Sequence, residues 1–174
     1  MFWSPVTLFT TIFLCLLGSR PCPAAIVWDG PIINFAKAAF ADWTQPQNQD
    51  QITPLVALTR ANSQGLFNIE SESFYTHNVS PAGTEWAYGT TDDFASLTFR
   101  TWELWNGGNP PSMVGRNAVL HLIQEDIYID IKFTSWAASF GGGAFSYQRS
   151  TIPEPAGFAL LGAGAFLLSL RRRR

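Results

Sequence analysis

Cysteine is almost missing from this 174-residue chain: there are two, Cys15 and Cys22, and both fall within the first 25 residues. Everything beyond them is without a disulfide, a thiolate metal site or a cysteine nucleophile. Histidine is equally scarce, with only His77 and His121, and no HExxH, GxSxG or GxxxxGK[ST] pattern occurs. Positive charge is thin as well. Between Ile26 and Thr151 six Lys and Arg (Lys37, Arg60, Arg100, Arg116, Lys132, Arg149) face twelve Asp and Glu, a net charge of −6. Such an acidic body has no basic stripe to neutralise phosphates, so nucleic-acid binding is excluded as a working hypothesis. No internal repeat is present.

What the chain does have is concentrated at its ends. Residues 1–25 carry an apolar run, Val6 to Leu17, followed by a stretch rich in Gly, Ser, Pro and Ala. That order predicts a secretory signal peptide cleaved after Ala24 or Ala25, although no Lys or Arg precedes the run. The bland reading is a buried helix, but a core helix seldom starts at residue one without a polar face. A lipoprotein reading would acylate Cys22, yet Arg20 and Pro21 stand where small residues are expected. The remaining units are a body at 26–150 and a tail at 151–174.

The tail reads "TIPEPAGFALLGAGAFLLSLRRRR". Ala156 to Leu170 is uncharged, and as a helix its fifteen residues span about 22 Å at 1.5 Å per residue. This is short against a hydrocarbon core of about 30 Å, a deficit that snorkelling arginines and local bilayer thinning can meet. Arg171, Arg172, Arg173 and Arg174 would stay cytoplasmic and leave the body on the far side. Gly157, Gly162 and Gly164 weaken the helix and would let a partner helix approach. Pro153 and Pro155 flank Glu154 and hold the motif extended, the shape a protease cleft accepts; Pro155 also suits the first position of the following helix.

Taken together, Pro153-Glu154-Pro155, the apolar span and the arginine cluster closely resemble the PEP-CTERM sorting signal of bacterial exported proteins. The resemblance covers about the last two dozen residues. It implies that an exosortase, a multi-spanning membrane enzyme, recognises the tail and cuts near the motif, passing the protein to the cell surface or its exopolysaccharide matrix. A plain C-terminal anchor behind a proline linker is the alternative and would leave the tail in place. In the body, Ser80 to Gly89, Trp105 to Trp136 and Gly141 to Thr151 resemble stretches of exported bacterial proteins of uncharacterised function, a likeness that names no activity.

The body reads as strands. Ile127, Ile129, Ile131 and Phe133 alternate with Tyr128, Asp130 and Lys132, the period of a half-buried strand. Ala118 to Ile123 is apolar almost throughout, as a strand covered on both faces should be, and Gln124, Glu125 and Asp126 close a hairpin between the two. Phe94 to Trp102 and Ala144 to Arg149 are further strand candidates, with weaker ones at Ile26 to Trp28, Leu55 to Thr59, Gly65 to Ile69 and Glu85 to Tyr88. Only Ile33 to Trp43 has a helical rhythm. Thr44 to Gln51, Asn106 to Gly115 and Gly141 to Gly143 are loops by composition. The expected fold is mainly β: an antiparallel β-sandwich or jelly-roll-like body between an N-terminal signal helix and a C-terminal transmembrane helix.

Candidate chemistry in the body is sparse. His121 sits in an apolar strand, where a satisfied sheet histidine is the default. Three acidic spots, Glu125 with Asp126, Asp92 with Asp93, and Asp29, are the weak candidates for calcium, but that ion needs six to eight oxygens and no DxDxDG-like run exists, so turn and surface roles are expected and no cofactor is predicted. Six tryptophans fall in the body: Trp28, Trp43, Trp86, Trp102, Trp105 and Trp136. Indoles stack on sugar rings, though core packing is the default for each, and on a regular strand Trp102 and Trp105 would point to opposite faces. The expectation is an exported surface or matrix protein with a non-catalytic, structural body. Its partners would be an exosortase-like enzyme, the membrane in transit and extracellular polysaccharide. A carbohydrate-binding module is the second reading, and a secreted hydrolase using His121 the third.

Overall fold

A computed structural model of the chain describes residues 24–138 and 140–153. The signal segment up to Pro23 and the tail from Glu154, with Pro155 and Arg171 to Arg174, lie outside the described residues; of the sorting motif only Pro153 is described, and it is exposed. Among the described residues no helix is long and apolar enough to cross a membrane.

The body is mainly β, with nine strands among the described residues: β1 (Ile26–Trp28), β2 (Ile33–Lys37), β3 (Asp50–Thr53), β4 (Val56–Thr59), β5 (Phe67–Asn68), β6 (Thr84–Tyr88), β7 (Ala118–Leu122), β8 (Ile127–Trp136) and β9 (Phe145–Arg149). One short helix, α1 (Trp102–Asn106), and three 3-10 turns complete it. Five strands pair antiparallel in the order β2-β9-β8-β7-β6, and β3-β4-β5 form a second antiparallel sheet. β1 is the exception, running parallel to β8.

Alternation explains β8, the longest strand. Ile127, Ile129, Ile131 and Phe133 are buried in the core, while Lys132 and Thr134 point to solvent. The strand runs three residues past the predicted Phe133 because β9 keeps pairing with it as far as Trp136, across an irregularity between Phe133 and Ser135. On that same flank β1 covers Ile127–Ile129, so two short strands lie end to end along one long one. β7 is buried at every position, as its apolar composition predicts. One of its faces meets the core. On the other, Phe99 from the segment that follows β6 packs on His121 of β7 with centroids 5.6 Å apart, and Phe94 packs on the neighbouring Tyr128 of β8 at 4.4 Å.

Two expectations are corrected. Ile33 to Trp43 is not helical: Ile33–Lys37 is β2, in register with β9 from Ile33↔Arg149 to Lys37↔Phe145. A free sheet edge offers a backbone partner for every second residue, and a lone helix of eleven residues cannot recover its nucleation cost without one packed face. Phe94 to Trp102 is not a strand. Thr91–Ser96 is a 3-10 turn, a single bridge joins Arg100 to Trp86, and α1 begins at Trp102. The turn is pinned by Asp130 on β8, whose carboxylate accepts from the Thr91 amide at 2.8 Å and the Thr91 hydroxyl at 2.7 Å. In the helix, residues three apart share a face, so Trp102 and Trp105 both meet Trp86, with centroids 4.9 and 5.4 Å away.

Both sheets feed one core, as a sandwich requires. Ile52, Val56 and Leu58 of the smaller sheet join Trp86, Leu120, Ile129, Phe133 and Tyr147 of the larger. A buried ionic clasp ties them: Asp50 on β3 accepts from Arg149 Nε at 2.7 Å and Nη2 at 2.8 Å, and from the Tyr147 hydroxyl at 2.6 Å. Burial and the Asp50 carboxylate hold the Tyr147 phenol well above its ordinary value of 10.0.

Candidate functional site

A concavity of about 410 Å³ opens between α1, the loop after β4 and the end of β8. Five short segments build its wall. α1 contributes Trp102, Glu103 and Asn106, and it stops there because Gly107 takes a left-handed conformation at φ 68° while its amide returns to the Glu103 carbonyl. Asn106, 3 % exposed, donates from Nδ2 to the Trp102 carbonyl at 2.7 Å, and its Oδ1 has no donor among the described residues. Gln64, Tyr75 and His77 line the opposite side, where His77 Nδ1 stands 3.6 Å from Glu103 Oε2. Gly65 has no room for a side chain, since a Cβ would meet the Tyr75 ring and lie 3.1 Å from Trp102 Nε1.

Arg60 sets the electrostatics of the cleft. It leaves the end of β4, is 2 % exposed, and lies with its guanidinium carbon 3.8 Å from the centre of the Trp136 ring. Its Nε donates to the Gln64 carbonyl at 2.8 Å and Nη1 to the carbonyls of Ala137 and Ala144 at 3.0 and 3.1 Å. Nη2 has no acceptor among the described residues, and no carboxylate there forms an ion pair with it. Burial lowers its pKa from 12.5 to about 10, which still leaves it charged at neutral pH. Lys37 is buried too, and its pKa is lowered by burial and then by the charge of Arg60. The nearby Asp42 carboxylate is spent on the Thr44 amide and hydroxyl and on Gln45.

The predicted site residues are scattered by comparison. Trp28, Trp86, Trp102 and Trp105 are core residues, whereas Trp43 and Trp136 are half-buried. Trp102 and Trp136 meet at 5.6 Å and are the two indoles of the cleft. His121, 8 % exposed, sits on the other face of the larger sheet, stacked on Tyr128 at 4.2 Å with 5° between the planes. Its Nδ1 meets Glu85 at 2.7 Å and its Nε2 meets Asp126 at 3.2 Å, so both ring nitrogens are engaged, as befits a satisfied sheet histidine. Of the acidic spots, Asp126 holds His121 and Glu125 accepts from the Thr53 hydroxyl at 2.8 Å. Asp29, Asp92 and Asp93 lie on the surface, and no cluster of three or more His, Cys, Asp or Glu fit to hold a metal occurs among the described residues.

Sequence reasoning passed over Arg60, Gln64, Glu103 and Asn106. They come from two segments, residues 60–64 and 103–106, well separated in the chain, and only the Gly107-Gly108 pair marked the neighbourhood as a place where the chain turns sharply. No family model matches the chain, and neither a search of curated proteins nor one of solved structures finds a match.

Proposed function

We propose that this chain is an exported protein of the cell surface or extracellular matrix, delivered by its tail, with a body that binds or builds rather than catalyses. The observation that carries the reading is the ordered succession of Pro153-Glu154-Pro155, an uncharged span from Ala156 to Leu170 and Arg171 to Arg174. The body's edge agrees with it. Thr151 is still tied down, its carbonyl accepting from the Gly30 amide at 3.0 Å and its hydroxyl donating to the Pro31 carbonyl at 2.7 Å, whereas Ile152 and Pro153 are exposed. Ile152 and Pro153, the last residues described, therefore lead away from the packed body at exposed positions. In this reading residues 1–25 are the export signal, 156–170 cross the lipid, and an exosortase-like enzyme acts near Glu154. Intact mass of the protein recovered from its native host tests the proposal: the expected product lacks the apolar span and arginines, and a mass that retains Arg174 overturns processing in favour of a plain anchor.

A second reading is favoured by the cleft. The Trp136 indole and the Tyr75 ring, with side-chain amides, one carboxylate and one guanidinium, form the mixture of flat apolar faces and fixed polar groups that small polar ligands use, and the destination proposed above is rich in polysaccharide. Carbohydrate binding through this cleft is accordingly the ligand class proposed for the body. A hydrolase built on His121 draws no support from the site, because the ring is stacked under Tyr128 with both nitrogens already held by carboxylates.

A further inference from the structure

We infer that the cleft takes an acidic saccharide, a hexuronate unit whose carboxylate pairs with Arg60 while its ring lies against the aromatic wall. This rests on the carbohydrate reading and narrows it to a class of sugar. The molecule supplies its own contrast in two buried arginines. Arg149 is closed by a bidentate carboxylate from Asp50. Arg60 has only carbonyl acceptors, keeps Nη2 without one, and has no carboxylate partner among the described residues.

A guanidinium held this way is fixed in plane by Trp136 and by three carbonyl bonds, so little side-chain freedom remains to be lost when an anion arrives. Its planar fork matches a carboxylate. Lys37 is buried close enough to Arg60 that the guanidinium charge, after burial, lowers its pKa. Two features point to a sugar acid over a simple anion. Tyr75 and Trp136, both half-buried, offer an apolar wall that an inorganic ion leaves unused, and the Glu103 carboxylate oxygens are acceptors suited to ring hydroxyls. A neutral sugar would use the wall and the acceptors but leave the guanidinium unpaired. The volume of about 410 Å³ lies within the range of small-ligand sites.

The test compares two probes on the purified full chain: a short β-1,4-linked glucuronate oligomer and the matching glucose oligomer, read by tryptophan fluorescence and calorimetry. The glucuronate oligomer should bind about tenfold tighter or better, with the preference shrinking as salt rises. Arg60→Lys keeps the charge but loses the fork, and should erase most of that preference, bringing the affinities for the two oligomers together. If Arg60→Lys does not fold, the wild-type comparison of the two oligomers decides alone. Equal affinity for both oligomers would overturn the acidic specificity and leave the carbohydrate reading standing. Binding of neither would remove both.

Discussion

At the scale of single residues the molecule turns on how it handles buried charge. Asp50, Arg149 and Tyr147 form a closed group in which every strong donor has an acceptor. Asp50→Asn leaves the guanidinium buried and unpaired, and removing one partner from such a pair costs roughly 3–5 kcal/mol, measurable as a lowered urea midpoint. Tyr147→Phe loses one hydrogen bond to a charged group, about 1.5–3 kcal/mol at neutral pH. That deficit depends on pH. The folded phenol titrates above its ordinary value of 10.0, so beyond that pH the unfolded chain sheds the proton first, and wild-type stability falls. The gap between wild type and Tyr147→Phe should therefore narrow between about pH 8 and about pH 11, whereas a constant gap would mean the phenol is not held protonated. Little of this was legible in the sequence. Asp50 sat in a stretch read as a polar loop, and nothing local distinguishes Arg149, which is paired across ninety-nine positions, from Arg60, which is not.

At the scale of elements, what was readable and what was not divides by period and partner. β7 and β8 declare themselves because their burial pattern is written in their own residues. β2 does not: its fate depends on the edge of β9, more than a hundred positions away. α1 was hidden for the opposite reason, since a run rich in aromatic and β-branched residues mimics a strand until Trp86 is there to receive both indoles from one helical face. Two glycines test how the cleft's elements are set. At Gly107, φ is 68° and a Cβ would meet nothing, so Gly107→Ala pays only the backbone penalty, about 1–2 kcal/mol. Gly143 has the same φ, but there a Cβ would run into the Ala61 carbonyl, on the residue that follows Arg60. Gly143→Ala should cost more, about 3 kcal/mol, and disturb the neighbouring Ala144 carbonyl that receives Arg60 Nη1. Urea titrations of the two variants check the ordering, and equal losses would show that the loop yields.

At the scale of the whole molecule, two sheets of unequal size share one core and one ionic clasp, so neither has an apolar face of its own to keep after the other leaves. Near-ultraviolet circular dichroism, which reports the indole cluster around Trp86, and far-ultraviolet circular dichroism, which reports the strands, should give coincident urea transitions. Separate midpoints would mean that the sheet of β3, β4 and β5 detaches first. Taken alone, the amino-acid sequence determined the mainly β character and the β7–β8 hairpin. Each of these follows from residues close together in the chain: alternation, turn chemistry, and runs of apolar or charged side chains. Only the tertiary structure decided that Ile33–Lys37 is a strand, that Trp102 and Trp105 share a helix, and that Arg60 lies unpaired beside Trp136 on the wall of a cleft. Those outcomes are set by partners far away in the chain, and a buried charge acquires its meaning from whether the fold happens to bring it a counter-charge.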